Sequence, residues 1–212
     1  RPLTARFYGE GSKKKTIRSR QELDEILRTV EKADFTIADI KTTERIRKAP
    51  LPFTTSTMQQ EAAKALNFGT QKTMRIAQQL YEGIDIKGNG TVGVITYLRT
   101  DSTRVADEAD QAARDYIASV YGKEYAAAKS GAKGNSKNVQ DAHEAIRPTD
   151  ISRTPASLKD SLTRDQFRLY QLIWKRFTAS RMQPARYEST AVRIGADRYS
   201  FAVSTSKQLF DG

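Results

Sequence analysis

The 212-residue chain has no cysteine, one histidine (His143), one tryptophan and three methionines. Without cysteine there is no disulfide scaffold and no thiolate metal site, which fits a reducing compartment. One histidine excludes a multi-histidine metal centre. No apolar run approaches the ~18 residues of a membrane-spanning helix. No signal peptide is expected, and because the first residue is Arg1 rather than Met the chain is expected to be a piece of a longer protein. A tail of like charge is missing too, although the net charge is +11. The basic excess is 5 over residues 1–56, 5 over 57–183 and 1 over 184–212. A polyanionic partner is implied, with nucleic acid first, and it must be met by a folded surface rather than an arm. The lysine cluster Lys13, Lys14 and Lys15 reads as a solvated turn.

Nucleotide chemistry finds no support. Gly83 and Gly88 have the spacing of a phosphate loop, but Asn89 stands where its lysine belongs. Asp107, Glu108 and Asp110 spell a helicase box by letter only; in the first turns of a helix they complement its dipole. No Asp-x-Asp-x-Glu cluster for Mg²⁺ occurs.

What is present is an ordered change of period. Leu3, Ala5 and Phe7 alternate as on a strand. Ser19 with Glu22 forms a capping box for a helix bearing Leu23, Ile26, Leu27 and Val30. Residues 35–46 read as extended, and Pro50 and Pro52 break the chain. From Thr57, capped with Gln60, a helix runs to about Leu66, and a second, capped by Thr70, carries Met74, Ala77, Leu80 and Tyr81 on one stripe before Gly83 stops it. The pair resembles a helix-turn-helix, as many helical hairpins do. Residues 92–98 read as a short strand, and 105–121 as a helix with Ala106, Ala109, Ala113, Ile117 and Val120 inward. Residues 130–138 form a polar, Gly-rich loop. Thr163 and Gln166 cap a long helix bearing Phe167, Tyr170, Ile173, Trp174 and Phe177. Residues 187–194 and 199–203 form a hairpin around Gly195, Ala196 and Asp197. The fold expected is α+β: a mainly β domain (1–56 and 184–212) interrupted by a mainly α domain (57–183), with the two β parts pairing across the insertion.

Two stretches carry chemistry. In ITYLRTDST, residues 95–103, an extended backbone puts Tyr97 and Arg99 on one side, about 7 Å apart. The guanidinium can hold two phosphate oxygens and spread the charge of a pentavalent transition state, and it lowers the cost of ionising the phenol. A tyrosine nucleophile exchanges one phosphodiester for another, so no ATP is required. The same two residues also read as a packed strand tyrosine beside a surface arginine, since an isolated Tyr-x-Arg is common. In AHEAIRPTD, residues 142–150, His143 is the side chain whose ordinary pKa lies near neutrality. On a helical turn Arg147 would share its face, a pair able to bind phosphate or shuttle a proton. A surface or capping histidine fits equally.

Together these stretches resemble the type IA DNA topoisomerases, and bacterial topoisomerase I in particular. The resemblance begins with PFTTSTMQQEAAKALNFGTQKTMRIAQQLYEG (residues 52–83) and continues through GVITYLRTDSTR (93–104), AHEAIRPTD and LYQLIWKRFTASRMQPARYEST (169–190). Leu98 after the tyrosine and the EAIRPT wording look like topoisomerase I rather than topoisomerase III. The resemblance implies that Tyr97 attacks single-stranded DNA to form a 5′-phosphotyrosyl link, and that Arg99 contacts the scissile phosphate. It places His143 near the site, with Thr96, Asp101, Thr103 and Arg147 shaping it or contacting DNA. It implies a β arch domain interrupted by the tyrosine-bearing helical domain. The parent is expected to be a monomeric, Mg²⁺-dependent enzyme of the bacterial cytoplasm and nucleoid that relaxes negatively supercoiled DNA. Its metal ligands would lie outside this chain, and the chain alone would be inactive in relaxation. A non-catalytic DNA-binding module built on the helix pair is the alternative. A tyrosine recombinase or type IB enzyme is disfavoured, because Tyr97 precedes His143 and no Arg-His-x-x-Arg box lies upstream.

Overall fold

The computed structural model describes residues 3–127 and 143–212. In chain order its elements are β1 (Arg6–Glu10), β2 (Lys13–Lys14), α1 (Arg20–Val30), β3 (Phe35–Arg47), α2 (Thr55–Leu66), α3 (Thr70–Glu82), β4 (Ile84–Ile86), β5 (Gly90–Val92), α4 (Asp107–Val120), α5 (Arg164–Ser180), β6 (Ala185–Ala196) and β7 (Tyr199–Phe210). The Gly-rich stretch 130–138 lies outside the described residues. Among the described residues no helix is long and apolar enough to cross a membrane. The chain divides into two units, one of Arg1–Arg47 with Ala185–Asp211 and one of Lys48–Pro184.

The first unit is a five-stranded antiparallel sheet in the order β2-β1-β7-β6-β3. Strands from the two ends of the chain pair in it. The last residue of β3, Arg47, is the register partner of the first residue of β6, Ala185, so residues 48–184 leave and rejoin the sheet at adjacent positions. Two residues, Asp197 and Arg198, close the β6–β7 hairpin between the paired Ala196 and Tyr199. The turn thus falls later than the sequence suggested. Asp197 takes the left-handed conformation (φ 53°) that such a turn demands and that Asp tolerates. Lys13 and Lys14 form a short strand rather than a loop, and Lys15 pairs with Glu22 at 3.0 Å.

The second unit is mainly helical. Two long side chains on α5 set its centre: Tyr170 donates to the Arg153 carbonyl at 2.6 Å and Trp174 to the Ile151 carbonyl at 2.9 Å. Burial pushes the Tyr170 phenol above its ordinary pKa, so it remains a donor into the alkaline range. Leu169, Ile173 and Phe177 complete the buried face of α5, against Phe53, Leu80, Ile95 and Ile146. Each such side chain contributes about 1.5–3 kcal/mol by leaving water, whereas an exposed ion pair contributes about 0–1 kcal/mol. The apolar core therefore holds the unit together.

Helix ends follow local chemistry, with some displaced from the expected residues. Thr163 and Gln166 form the expected box at α5. At α1, Ser19 caps Glu22, but the Glu22 carboxylate accepts from Arg18 N–H, one residue further back. Helix α2 starts earlier than expected: Thr54 is its cap, and Thr57 reciprocates by accepting from Thr54 N–H at 2.9 Å. Gly69, not Thr70, caps α3. Helix α4 buries Ala113 and Ile117, but Val120 is exposed at its last turn. Its acidic start has a second use, because Asp110 pairs with both Arg114 and Arg181 at 2.8 Å.

Candidate active site

The site lies wholly in the helical unit and is built on residues 93–104. The strand expected over 92–98 ends at Val92; beyond it only Ile95 makes a bridge, to Pro148. The backbone beyond Val92 is bound instead to distant partners. Val94 N–H donates to the Leu80 carbonyl at 2.8 Å, and Thr149 N–H to the Val94 carbonyl at 3.0 Å. From Tyr97 to Thr103 exposure alternates: Leu98, Thr100 and Ser102 are buried, while Tyr97, Arg99, Asp101 and Thr103 face solvent. The alternation of exposed and buried residues is thus present without a sheet ladder, and Tyr97 and Arg99 are both exposed, although the backbone bends at Leu98 and Arg99.

Two threonines clasp this run. The Thr96 hydroxyl donates to the Ala145 carbonyl at 2.7 Å and accepts from Arg147 N–H at 3.0 Å, while Thr96 N–H donates to the Arg147 carbonyl at 2.9 Å. Beyond Tyr97, the Thr55 hydroxyl donates to the Leu98 carbonyl at 2.7 Å and accepts from Thr100 N–H at 2.9 Å. Thr55 N–H donates to the Thr100 carbonyl at 2.9 Å. Each such bond contributes about 1 kcal/mol. Their effect is to fix the backbone on both sides of a tyrosine whose own side chain is 42% exposed.

The clasp at Thr96 also delivers His143. Residues 143–150 do not form the helical turn expected of them: Ile146 bridges Phe53 and Pro148 bridges Ile95. Pro148 biases Arg147 to extended backbone, and the N–H groups of Ala145, Ile146 and Arg147 are spent on the distant Arg104, Phe53 and Thr96. His143 lies beside Tyr97, ring centroids 6.1 Å apart and planes inclined by 30°. Arg147 does not join it. Its guanidinium donates to Glu144 at 2.6 and 2.9 Å and to the Pro148 carbonyl at 3.0 Å. Arg147 therefore shapes the loop. Arg99 and Asp101 make no hydrogen bond or ion pair with another described residue. The Arg99 guanidinium is thus unoccupied by any described residue.

The sequence reading missed two contributors. Thr55 was hidden because its partners, Leu98 and Thr100, are more than 40 residues away. Tyr81, assigned to the buried stripe of α3, is 39% exposed and meets Tyr97 edge-on, centroids 5.4 Å apart at 66°. Its position one residue past the buried Leu80, at the margin of the stripe, was the available signal.

Among the described residues no group of three or more His, Cys, Asp or Glu side chains could hold a metal ion. The arrangement offers a phenol on a fixed backbone, an imidazole beside it and, two residues on, a guanidinium that no other described residue pairs with, all open to solvent. That set can receive a phosphodiester.

A family model described as DNA topoisomerase matches residues 3–212. The structure of full-length topoisomerase I from Thermotoga maritima is similar at 40% sequence identity and a TM-score of 0.79, over 97% of this chain and 32% of that one. The chain thus spans about a third of that relative's length. On the family match over nearly every residue, and on identity of this level across a shared fold, the chain belongs to the bacterial type IA DNA topoisomerase family.

Proposed function

We propose that this chain is the tyrosine-bearing part of a longer enzyme that cleaves single-stranded DNA transiently and passes a strand through the break. The observation that carries the reading is Tyr97 itself: exposed, ringed by Tyr81 and His143, and fixed at the backbone on both sides. The Tyr97 oxygen attacks the phosphorus of a DNA phosphodiester. The bond from phosphorus to the 3′ oxygen breaks, its electron pair leaves with that oxygen, and a proton returns to it as a 3′-hydroxyl. The DNA 5′ phosphate is then esterified to Tyr97. Arg99, which pairs with no other described residue, holds the non-bridging oxygens and offsets their growing charge. His143 is placed to exchange a proton with the phenol or its DNA phosphate. Thr96 and Arg147 hold the backbone rather than the substrate, and Asp101 lies on the exposed side with Arg99.

The reverse attack by the 3′-hydroxyl reseals the strand. One ester replaces another in each direction, so the reaction needs no ATP. The sheet unit would belong to the arch under which DNA passes. Mg²⁺ in the longer enzyme would be held by residues outside this chain, and every step above uses side chains of this chain alone. The enzyme is expected to relax negatively supercoiled plasmid without ATP, measured by gel mobility, while the chain alone does not. A strict ATP requirement, or relaxation by the chain alone at the enzyme's rate, would overturn this reading. The helix pair α2–α3 supports the alternative, a non-catalytic DNA-binding module, less well. Its buried residues Met58, Ala62, Ile76 and Leu80 belong to the core, as in any helical hairpin.

A further inference from the structure

We infer that Tyr81 is a positioning residue for Tyr97; the inference rests on Tyr97 being the nucleophile. Helix α3 buries Thr73, Ile76, Ala77 and Leu80, while the exposed residues Gln71, Arg75, Gln79 and Glu82 are polar. Tyr81 is the exposed aromatic residue of this helix, and it is not part of the unit's buried core. Its ring instead contacts the ring of Tyr97, edge to face, on one side, while His143 takes up another. An exposed tyrosine left to itself samples several staggered rotamers. Attack in line with a leaving oxygen uses one of them, and a misplaced nucleophile loses rate steeply. The Tyr81 ring favours one orientation of the phenol without a hydrogen bond to its oxygen.

Tyr81 is itself held by backbone. The Leu80 carbonyl accepts from Val94 N–H at 2.8 Å. The Tyr81 carbonyl packs on Gly93 so closely that a Cβ there would lie 2.4 Å from its oxygen. The end of α3 is thus docked directly on the segment that enters the tyrosine motif, three residues before Tyr97. Glycine at position 93 is what permits this approach. The Tyr81 hydroxyl makes no hydrogen bond to another described residue, so the contact is one of rings.

The test is single-turnover cleavage of a single-stranded oligonucleotide by the intact enzyme at saturating DNA, with affinity measured separately. Tyr81→Leu is expected to lower the cleavage rate about tenfold while leaving affinity within about twofold, and Tyr81→Phe is expected to restore the rate. Tyr81→Met serves as a second ring-free variant, and thermal melts establish that each protein is folded. Cleavage by both ring-free variants at the normal rate would overturn the inference. So would a loss confined to affinity, which would make Tyr81 a base-stacking residue, or a Tyr81→Phe variant as slow as Tyr81→Leu. Tyr97→Phe is assayed alongside. A denaturant-stable adduct in that variant would remove the nucleophile assignment itself, whereas its absence together with normal cleavage by Tyr81→Leu would remove only the role of Tyr81.

Discussion

Tyr97→Phe in the intact enzyme is expected to abolish covalent capture of DNA while leaving non-covalent binding within about twofold. The substitution removes one oxygen. It keeps the ring that meets Tyr81 at 5.4 Å and His143 at 6.1 Å, and it leaves the threonine clasps at residues 55 and 96 untouched. Because the side chain is 42% exposed, the lost hydroxyl leaves no buried partner unsatisfied, and folding stability should change by less than about 0.5 kcal/mol. Any loss of adduct is therefore chemical. Adduct is scored after denaturation as labelled oligonucleotide that remains with protein. A persistent adduct would assign the nucleophile elsewhere. A DNA-binding module without chemistry would give no adduct from either protein.

Arg99→Ala should slow cleavage by about 10²–10³-fold, the usual effect of removing one preorganised donor to a developing oxyanion. Its exposed guanidinium makes the experiment clean, since no ion pair with another described residue is broken with it. The melting temperature is expected to stay where it is. Arg99→Lys should recover part of the rate, because an ammonium keeps the charge but loses the planar fork that holds two oxygens at once. Cleavage by Arg99→Ala at the unmodified enzyme's rate would exclude Arg99 from phosphate contact. An Arg147→Ala variant makes a useful contrast. Its guanidinium is committed to Glu144 and Pro148, so its loss should appear in stability as well as in rate.

Much of the molecule was legible wherever a residue's environment is set by near neighbours. The cap of α5 needs only Thr163 and Gln166, and both read correctly. Exposure alternates from Tyr97 to Thr103 as the pattern of the sequence suggests, so that Tyr97 and Arg99 are both exposed. Legibility failed where the backbone is bound far away. Residues 93–98 look like a strand by composition, yet their hydrogen bonds go to Leu80, Thr55 and the 145–149 segment. The His143 segment looked helical because His143 and Arg147 are four apart. Its geometry is dictated by Phe53 and Ile95, which no local pattern announces. Thr54 was overlooked as a cap because the reciprocal residue is Thr57 rather than the usual Glu or Gln.

The chemistry of the break is the central claim, and the polarity of the link tests it most directly. An oligonucleotide labelled at its 3′ end in one sample and its 5′ end in another is cleaved by the intact enzyme, denatured and resolved with the protein. Attack by Tyr97 with retention of the 5′ phosphate places the 3′-labelled piece on the protein and frees the 5′-labelled piece with a 3′-hydroxyl. Retention of the 5′-labelled piece would mean a 3′-phosphotyrosyl link, and would contradict the account.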